Sequence, residues 1–248
     1  MRINNHNLYV ERHGLDENPT VILLHHGLGS VASWRAQLPE LLKAGFQVIA
    51  YDRWGYGRSD GRTALSMPHF SEDIADLVTI LDYFKVGQTA IVGHSDGGTI
   101  ALLLTAAETQ RITSLVTIAA HIYIESQMGQ SIETIRETFQ HDARFQEGLR
   151  RLHGDKVDAV FYGWYNGWKQ PGIIDWDISP CLPQIVCPTL VVQGASDEHA
   201  SAQHAADIAQ GVPTGELWIV PCVGHMVPQE DPDVFTPRLV EFLGRVCQ

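Results

Sequence analysis

Six short apolar runs punctuate the chain, at residues 21–24, 48–50, 90–92, 114–119, 189–192 and 216–220, with helix-like stretches between them. Each is rich in Val, Ile or Leu and bounded by Gly, Pro, Asp or His. Strands buried on both faces of a parallel sheet read this way, because no solvent face imposes alternation. In the intervals Trp34, Leu38, Leu41 and Leu42 share one helical face. So do Ile74, Leu77, Leu81 and Phe84, in a stretch opening at Ser71 with Glu72 and Asp73 in its first turn. Strand and helix alternating in this manner predict a doubly wound α/β sheet. Residues 1–12 are expected to add an antiparallel hairpin at the sheet edge, and residues 233–246 a closing helix.

One segment departs from that rhythm. Residues 122–180 carry no strand pattern, only helix-like stretches at 131–139 and 143–152. Nine aromatic residues fall within these 59 positions and twelve in the other 189, so the segment is specialised rather than average. Phe161, Tyr162, Trp164, Tyr165, Trp168 and Trp176 are crowded together. The reading is a helical cap inserted after the sixth strand, the amino-terminal hairpin counted as two. It would lie over the C-terminal edge of the sheet, where such folds bind ligands. An aromatic-rich subdomain core is the alternative for any single ring. The domain expectation is a core of residues 1–121 and 181–248 with a cap of residues 122–180.

Composition narrows the function classes. The 44% apolar share excludes a disordered or fibrous chain. Lys plus Arg number 17 against 29 Asp plus Glu, a net charge of −12, and no basic cluster is present to attract nucleic acid or an anionic membrane. The opening MRINNHNLYVERHG lacks the apolar run of a signal peptide, and no stretch approaches the roughly 18 apolar residues of a membrane span. A cytoplasmic protein is expected, with Cys181, Cys187, Cys222 and Cys247 as reduced thiols; a Cys181–Cys187 bridge is the alternative. Nothing in the sequence fixes the oligomeric state.

Chemistry concentrates after the third, fifth and sixth of the six runs. Gly93-His94-Ser95-Asp96-Gly97 is a G-x-S-x-G motif between a strand and a helix. A serine on so sharp a turn is pushed up from the sheet, and positions 93 and 97 tolerate no bulk. Its hydroxyl needs a base, itself oriented by an acid. Asp197 and His225 each follow a later strand, in the order this architecture uses, and are the candidate acid and base; Glu198 is the nearest rival to Asp197. Two N–H donors are needed for an oxyanion. Asp96 is expected to supply one and Leu28, in the turn His25-His26-Gly27-Leu28, the other, with Gly27 left open by the doubled histidine. His199 and His204 are spaced by five, which misses the i,i+4 face of two-histidine metal sites. His94 is read as packing, and His6, His13, His69, His141 and His153 as surface or helix residues. Asp52–Asp60 holds G-x-G without the third glycine of a dinucleotide loop or a Walker lysine, and reads as a structural turn.

HHGLGS, DRWGYGRSD, GHSDGG, the Asp197 loop and GHM together resemble the α/β-hydrolase family, over roughly residues 1–245. The resemblance implies an eight-stranded sheet with a lid and a cofactor-free serine hydrolase acting on a small-molecule substrate. Ser-Asp-Gly-Gly at the turn is similar to valacyclovirase-like amino-acid ester hydrolases. In those an aspartate after the nucleophile receives the substrate's ammonium group, and Asp96 takes the matching position. Asp96, Trp164 and Trp168 are therefore the candidate substrate-binding residues, and no metal or cofactor site is expected. The expected reaction is hydrolysis of a small ester, lactone or related acyl compound. Cleavage of a carbon–carbon bond by the same triad, with Lys169 or Arg35 holding a substrate carboxylate, is one alternative. A catalytically inactive binding module is another.

Overall fold

The computed structural model describes residues 1–247. Strands β1 (Arg2–Ile3) and β2 (His6–Asn7) pair only with each other. The main sheet comprises β3 (Val10–His13), β4 (Thr20–Leu24), β5 (Gln47–Tyr51), β6 (Thr89–His94), β7 (Ile112–Ile118), β8 (Thr189–Gly194) and β9 (Gly215–Val220). Its order is β3-β5-β4-β6-β7-β8-β9; β3 runs antiparallel to β5, and every other pair is parallel.

The main sheet thus has seven strands rather than eight, and the expected edge hairpin is divided. Asn4 and Asn5, at φ 45° and 70°, turn the chain back at once. The ribbon so formed is tied to a helix instead of the sheet, through Asn4 Nδ2–H and His6 to the two oxygens of Asp76 at 2.8 Å each. Only β3 reaches the edge.

Helices α1 (Gln37–Lys43), α2 (Ser71–Tyr83) and α3 (Asp96–Ala107) connect the strands up to β7. Three more, α4 (Met128–His141), α5 (Ala143–His153) and α6 (Val157–Gly167), lie between β7 and β8. They are followed by α7 (Ala202–Gly211), α8 (Val227–Glu230) and α9 (Pro232–Val246). Pleating sends alternate residues to opposite faces. Ile22, Leu24, Ile91 and Leu115 meet α2, α3 and α7 through Leu77, Leu81, Ile100, Leu104 and Ile208. Val21, Leu23, Val92 and Val116 meet α1 and α9 through Leu41, Phe235, Leu239 and Phe242. This two-faced burial explains the unbroken apolar runs of the sequence.

The segment holding α4–α6 leaves and rejoins at a narrow neck, where Tyr123 bridges Asp177 and the Ile178 N–H donates to the Ile122 carbonyl at 2.8 Å. Asp142 starts α5 by accepting the N–H groups of Arg144 and Phe145. Strand order reverses between β4 and β6, and a crevice opens at the carboxyl ends of strands beside such a reversal. The chain leaves β4 into the His25–Leu28 turn and β6 into Ser95, so both enter that crevice. The four cysteines are free. Among the described residues, no helix is long and apolar enough to cross a membrane.

Candidate active site

Ser95 occupies the single step between β6 and α3 with φ 55° and ψ −120°, a conformation costly for any residue with a Cβ. A Cβ at position 93 would run into the Gly97 carbonyl, and one at 97 into the carbonyls of Leu24 and His25. The two glycines therefore let the turn sit down on β4. The Ser95 N–H is held by the Ile118 carbonyl at 2.8 Å. The Asp96 N–H begins α3 and has no intrahelical acceptor, as at any helix start.

Asp197 and His225 arrive on the loops after β8 and β9. Those loops are knitted together by the Ala195 N–H on the Val220 carbonyl and the Ser196 N–H on the Val223 carbonyl, at 2.8 and 2.9 Å. His225 Nδ1 lies 2.9 Å from Asp197 Oδ2, which also accepts from Gln193 Nε2 at 2.5 Å. The other oxygen accepts the N–H groups of His199 and Ala200 at 2.8 and 3.1 Å. Burial alone would raise the Asp197 pKa; the hydrogen bond and charge of His225, with those two N–H groups, outweigh it and hold the pKa at about 2. An ionised Asp197 makes Nδ1 the donor, which leaves Nε2 of His225 as the basic nitrogen. Glu198 takes the backbone N–H of His225 instead, at 3.2 Å. His94 does more than pack: its Nε2 is 2.9 Å from the His225 carbonyl.

The turn after β4 is equally constrained. His25 Nδ1 meets the His26 carbonyl at 2.8 Å, and its Nε2 accepts the Arg53 N–H at 3.0 Å. The Leu28 N–H reaches only His26 Nδ1, at a long 3.4 Å, and the Leu28 carbonyl lies 3.0 Å from His153 Nε2. Of the histidines read as surface or helix residues, His153 does close helix α5, but it and the strand residue His6 are both buried. Each is recruited from a distance, His153 by Leu28 and Gly57, and His6 by Asp76 and a stacked Trp54. The Asp52–Asp60 stretch is indeed a turn, built on the Asp52 carboxylate, which accepts the Val31 and Arg58 N–H groups at 2.7 and 2.8 Å.

Ser95 and His225 border one cavity of about 40 Å³ together with Asp96, His121, Met128, Ser131, Ile132, Ile135, Trp164, Trp168 and His199. No hydrogen bond joins Ser95 Oγ to His225 among the described residues; in sites without substrate such bonds are often long and tighten only on binding. Asp96 faces this cavity. Its Oδ1 accepts from Trp168 Nε1 at 3.3 Å, while Oδ2 has no hydrogen-bond partner and lies 3.7 Å from the Arg53 guanidinium. Burial pushes the Asp96 pKa up to about 6, against the opposing pull of Arg53 and Trp168. The Trp164 indole lies against Gly27, where a Cβ would collide with it.

Neither cationic candidate reaches the cavity. Lys169 pairs with Glu133 at 2.8 Å, and Arg35 borders a separate groove. Among the described residues, no group of three or more His, Cys, Asp or Glu side chains could hold a metal ion. Sequence reasoning passed over His121, Met128, Ser131, Ile132 and Ile135. His121 carried a usable signal, since it follows β7 at the same sheet edge as Ser95. The α4 residues carried none, because their helix reaches the cavity only through tertiary packing.

Comparison with known proteins accords with this geometry. Residues 19–170 match the family model described as alpha/beta hydrolase fold. A protein named putative carbamate hydrolase RutD, from Variovorax paradoxus, is 30% identical, covering 96% of this chain and 97% of its own. The human serine hydrolase BPHL is 29% identical over 90% of this chain and 78% of its own. Among solved structures, an esterase from Exiguobacterium antarcticum superposes with a TM-score of 0.81 at 20% identity, covering 98% of this chain and 97% of that one.

Proposed function

The chain belongs to the α/β-hydrolase fold family, and on that premise we propose that it hydrolyses a small ester, lactone or related acyl compound through an acyl-enzyme on Ser95. One observation carries the reading: a strained Ser95 and an Asp197-bound His225 border the same cavity. Ser95 Oγ attacks the carbonyl carbon while His225 Nε2 takes its proton. Asp197 fixes the tautomer and stabilises the imidazolium. The N–H groups of Asp96 and Leu28 receive the oxyanion, each worth roughly 3–4 kcal/mol of barrier; Leu28 must first release its long bond to His26. His225 then protonates the leaving group, and water repeats the cycle on the acyl-enzyme.

On this reading residues 1–121 and 181–248 are the core, Gln248 lying outside the described residues, and residues 122–180 act as the cap. A space of about 40 Å³ is far below the roughly 300–1,000 Å³ of small-molecule pockets. The side chains of α4 and the two tryptophans must therefore yield to admit substrate. Acyl groups bearing an amine are favoured through Asp96, whose Oδ2 has no hydrogen-bond partner beside its 3.7 Å ion pair with Arg53 and suits an N–H donor. Free cysteines support a reducing, cytoplasmic setting.

The test is fluorophosphonate labelling, with turnover of acyl esters, amino-acid esters, lactones and a vinylogous dienone, using Ser95→Ala as control. Labelling and ester turnover that both vanish in the control are expected. An unlabelled wild type would remove the nucleophile. Asp96→Asn should weaken amino-ester turnover more than neutral-ester turnover; equal losses would remove the amine preference.

A further inference from the structure

His121 is buried, borders the cavity beside Ser95 and is used by no step above. Its backbone is pinned to the helix that carries the turn: Thr99 Oγ1 donates to the His121 carbonyl at 2.7 Å and accepts its N–H at 3.3 Å. The ring packs between Trp168, His204 and His225, at centroid distances of 5.7, 5.4 and 5.9 Å. Its Nδ1 is buried without a hydrogen-bond partner. An apolar ring would fill that space without stranding a polar atom, so packing alone does not account for an imidazole. Burial first, then His204 and His225, push its pKa well below the ordinary histidine value. A neutral imidazole offers one donor and one acceptor.

Asp96 Oδ2 is the second buried atom without a hydrogen-bond partner among the residues bordering this cavity. We propose that His121 is a specificity-determining residue that, with Asp96, hydrogen-bonds a hydroxyl or amino substituent on the acyl carbon next to the scissile carbonyl. Asp96 directly follows Ser95 and His121 borders the same cavity, so recognition falls on atoms close to the carbonyl. A hydroxyl donates to Asp96 and accepts from the imidazole. An ammonium group donates to both, the imidazole taking its other tautomer. This inference rests on Ser95 being the nucleophile.

The experiment compares kcat/KM for the p-nitrophenyl esters of propionate, lactate and alanine, whose acyl groups are nearly equal in size. It uses wild type, His121→Phe, His121→Leu and His121→Asn, each checked by fluorophosphonate labelling. Wild type should favour lactate and alanine over propionate. The Phe and Leu variants should each lower both ratios about tenfold, and Asn, which keeps a hydrogen-bonding side chain, should retain most of the preference. Either apolar variant suffices if the other does not fold. Ratios unchanged in an apolar variant, equal losses in Leu and Asn, or no preference in wild type would overturn it while leaving Ser95 intact. A wild type that neither labels nor turns over would instead remove the nucleophile, and this inference with it.

Discussion

Asp197 holds His225 through the imidazole Nδ1 at 2.9 Å, while its neighbour Glu198 holds the same residue through the backbone N–H at 3.2 Å. Two adjacent carboxylates thus divide one histidine between ring and main chain. Asp197→Asn should lower kcat by about 10⁴-fold, because the amide favours the wrong tautomer. Glu198→Gln should cost far less, since an amide oxygen still accepts the backbone N–H. Steady-state kinetics on one ester decide it, and a larger loss for Glu198→Gln would transfer the acid's role.

Strain at Ser95 is separable from its chemistry. Ser95→Gly should relieve φ 55° and ψ −120° and stabilise the fold by about 1–2 kcal/mol, whereas Ser95→Ala keeps the Cβ and gains nothing comparable. Both should be inactive. Thermal melts would show the glycine variant higher by several degrees; equal melting temperatures would mean the turn stores no strain.

Asp96 should make stability depend on pH in an unusual direction. Its folded pKa of about 6 lies above the ordinary value of 3.8, so the native state binds the proton more tightly than the unfolded chain. That contribution is complete below about pH 3.8 and disappears as pH rises through 6, with an upper limit on the order of 3 kcal/mol. Asp96→Asn does not titrate. The melting temperature of the variant minus that of wild type should therefore increase between pH 4.5 and 7.5. A flat difference would show that Asp96 ionises at an ordinary pH.

His153 links the turn at Gly57 to the turn that holds Leu28. It accepts the Gly57 N–H at Nδ1, 2.9 Å away, which makes Nε2 the donor to the Leu28 carbonyl at 3.0 Å. His153→Ala leaves both backbone groups unsatisfied and should destabilise by about 1–3 kcal/mol. With Leu28 as the proposed oxyanion donor, it should also lower kcat more than it raises KM, because that contact would be made only in the transition state. A KM effect alone would assign His153 to ground-state binding.

Much of this was legible beforehand. The parallel sheet showed in its runs because burial on both faces removes alternation, and Ser95, Asp197 and His225 could be picked out as candidates because each lies at or soon after the end of a strand. The edge hairpin misled: the positive φ angles of Asn4 and Asn5 divide it, and a pattern of apolar residues carries no information on where a turn falls. His6 misled for a related reason, and the burial of the helical His153 was hidden too, since a histidine's burial depends on partners at Asp76 and Leu28 that lie 70 and 125 residues away.

The order of residues along this chain, by itself, determined the layered fold and the family, because periodicity and a serine between glycines are local properties. Tertiary structure decided that Asp96 turns toward the cavity beside Arg53, that the imidazole goes to Asp197, favoured already by the sequence, and not to Glu198, and that α4 brings Met128, Ser131, Ile132 and Ile135 to the site. Those outcomes depend on distances between segments brought together by the reversal of strand order between β4 and β6, and no local pattern encodes a distance.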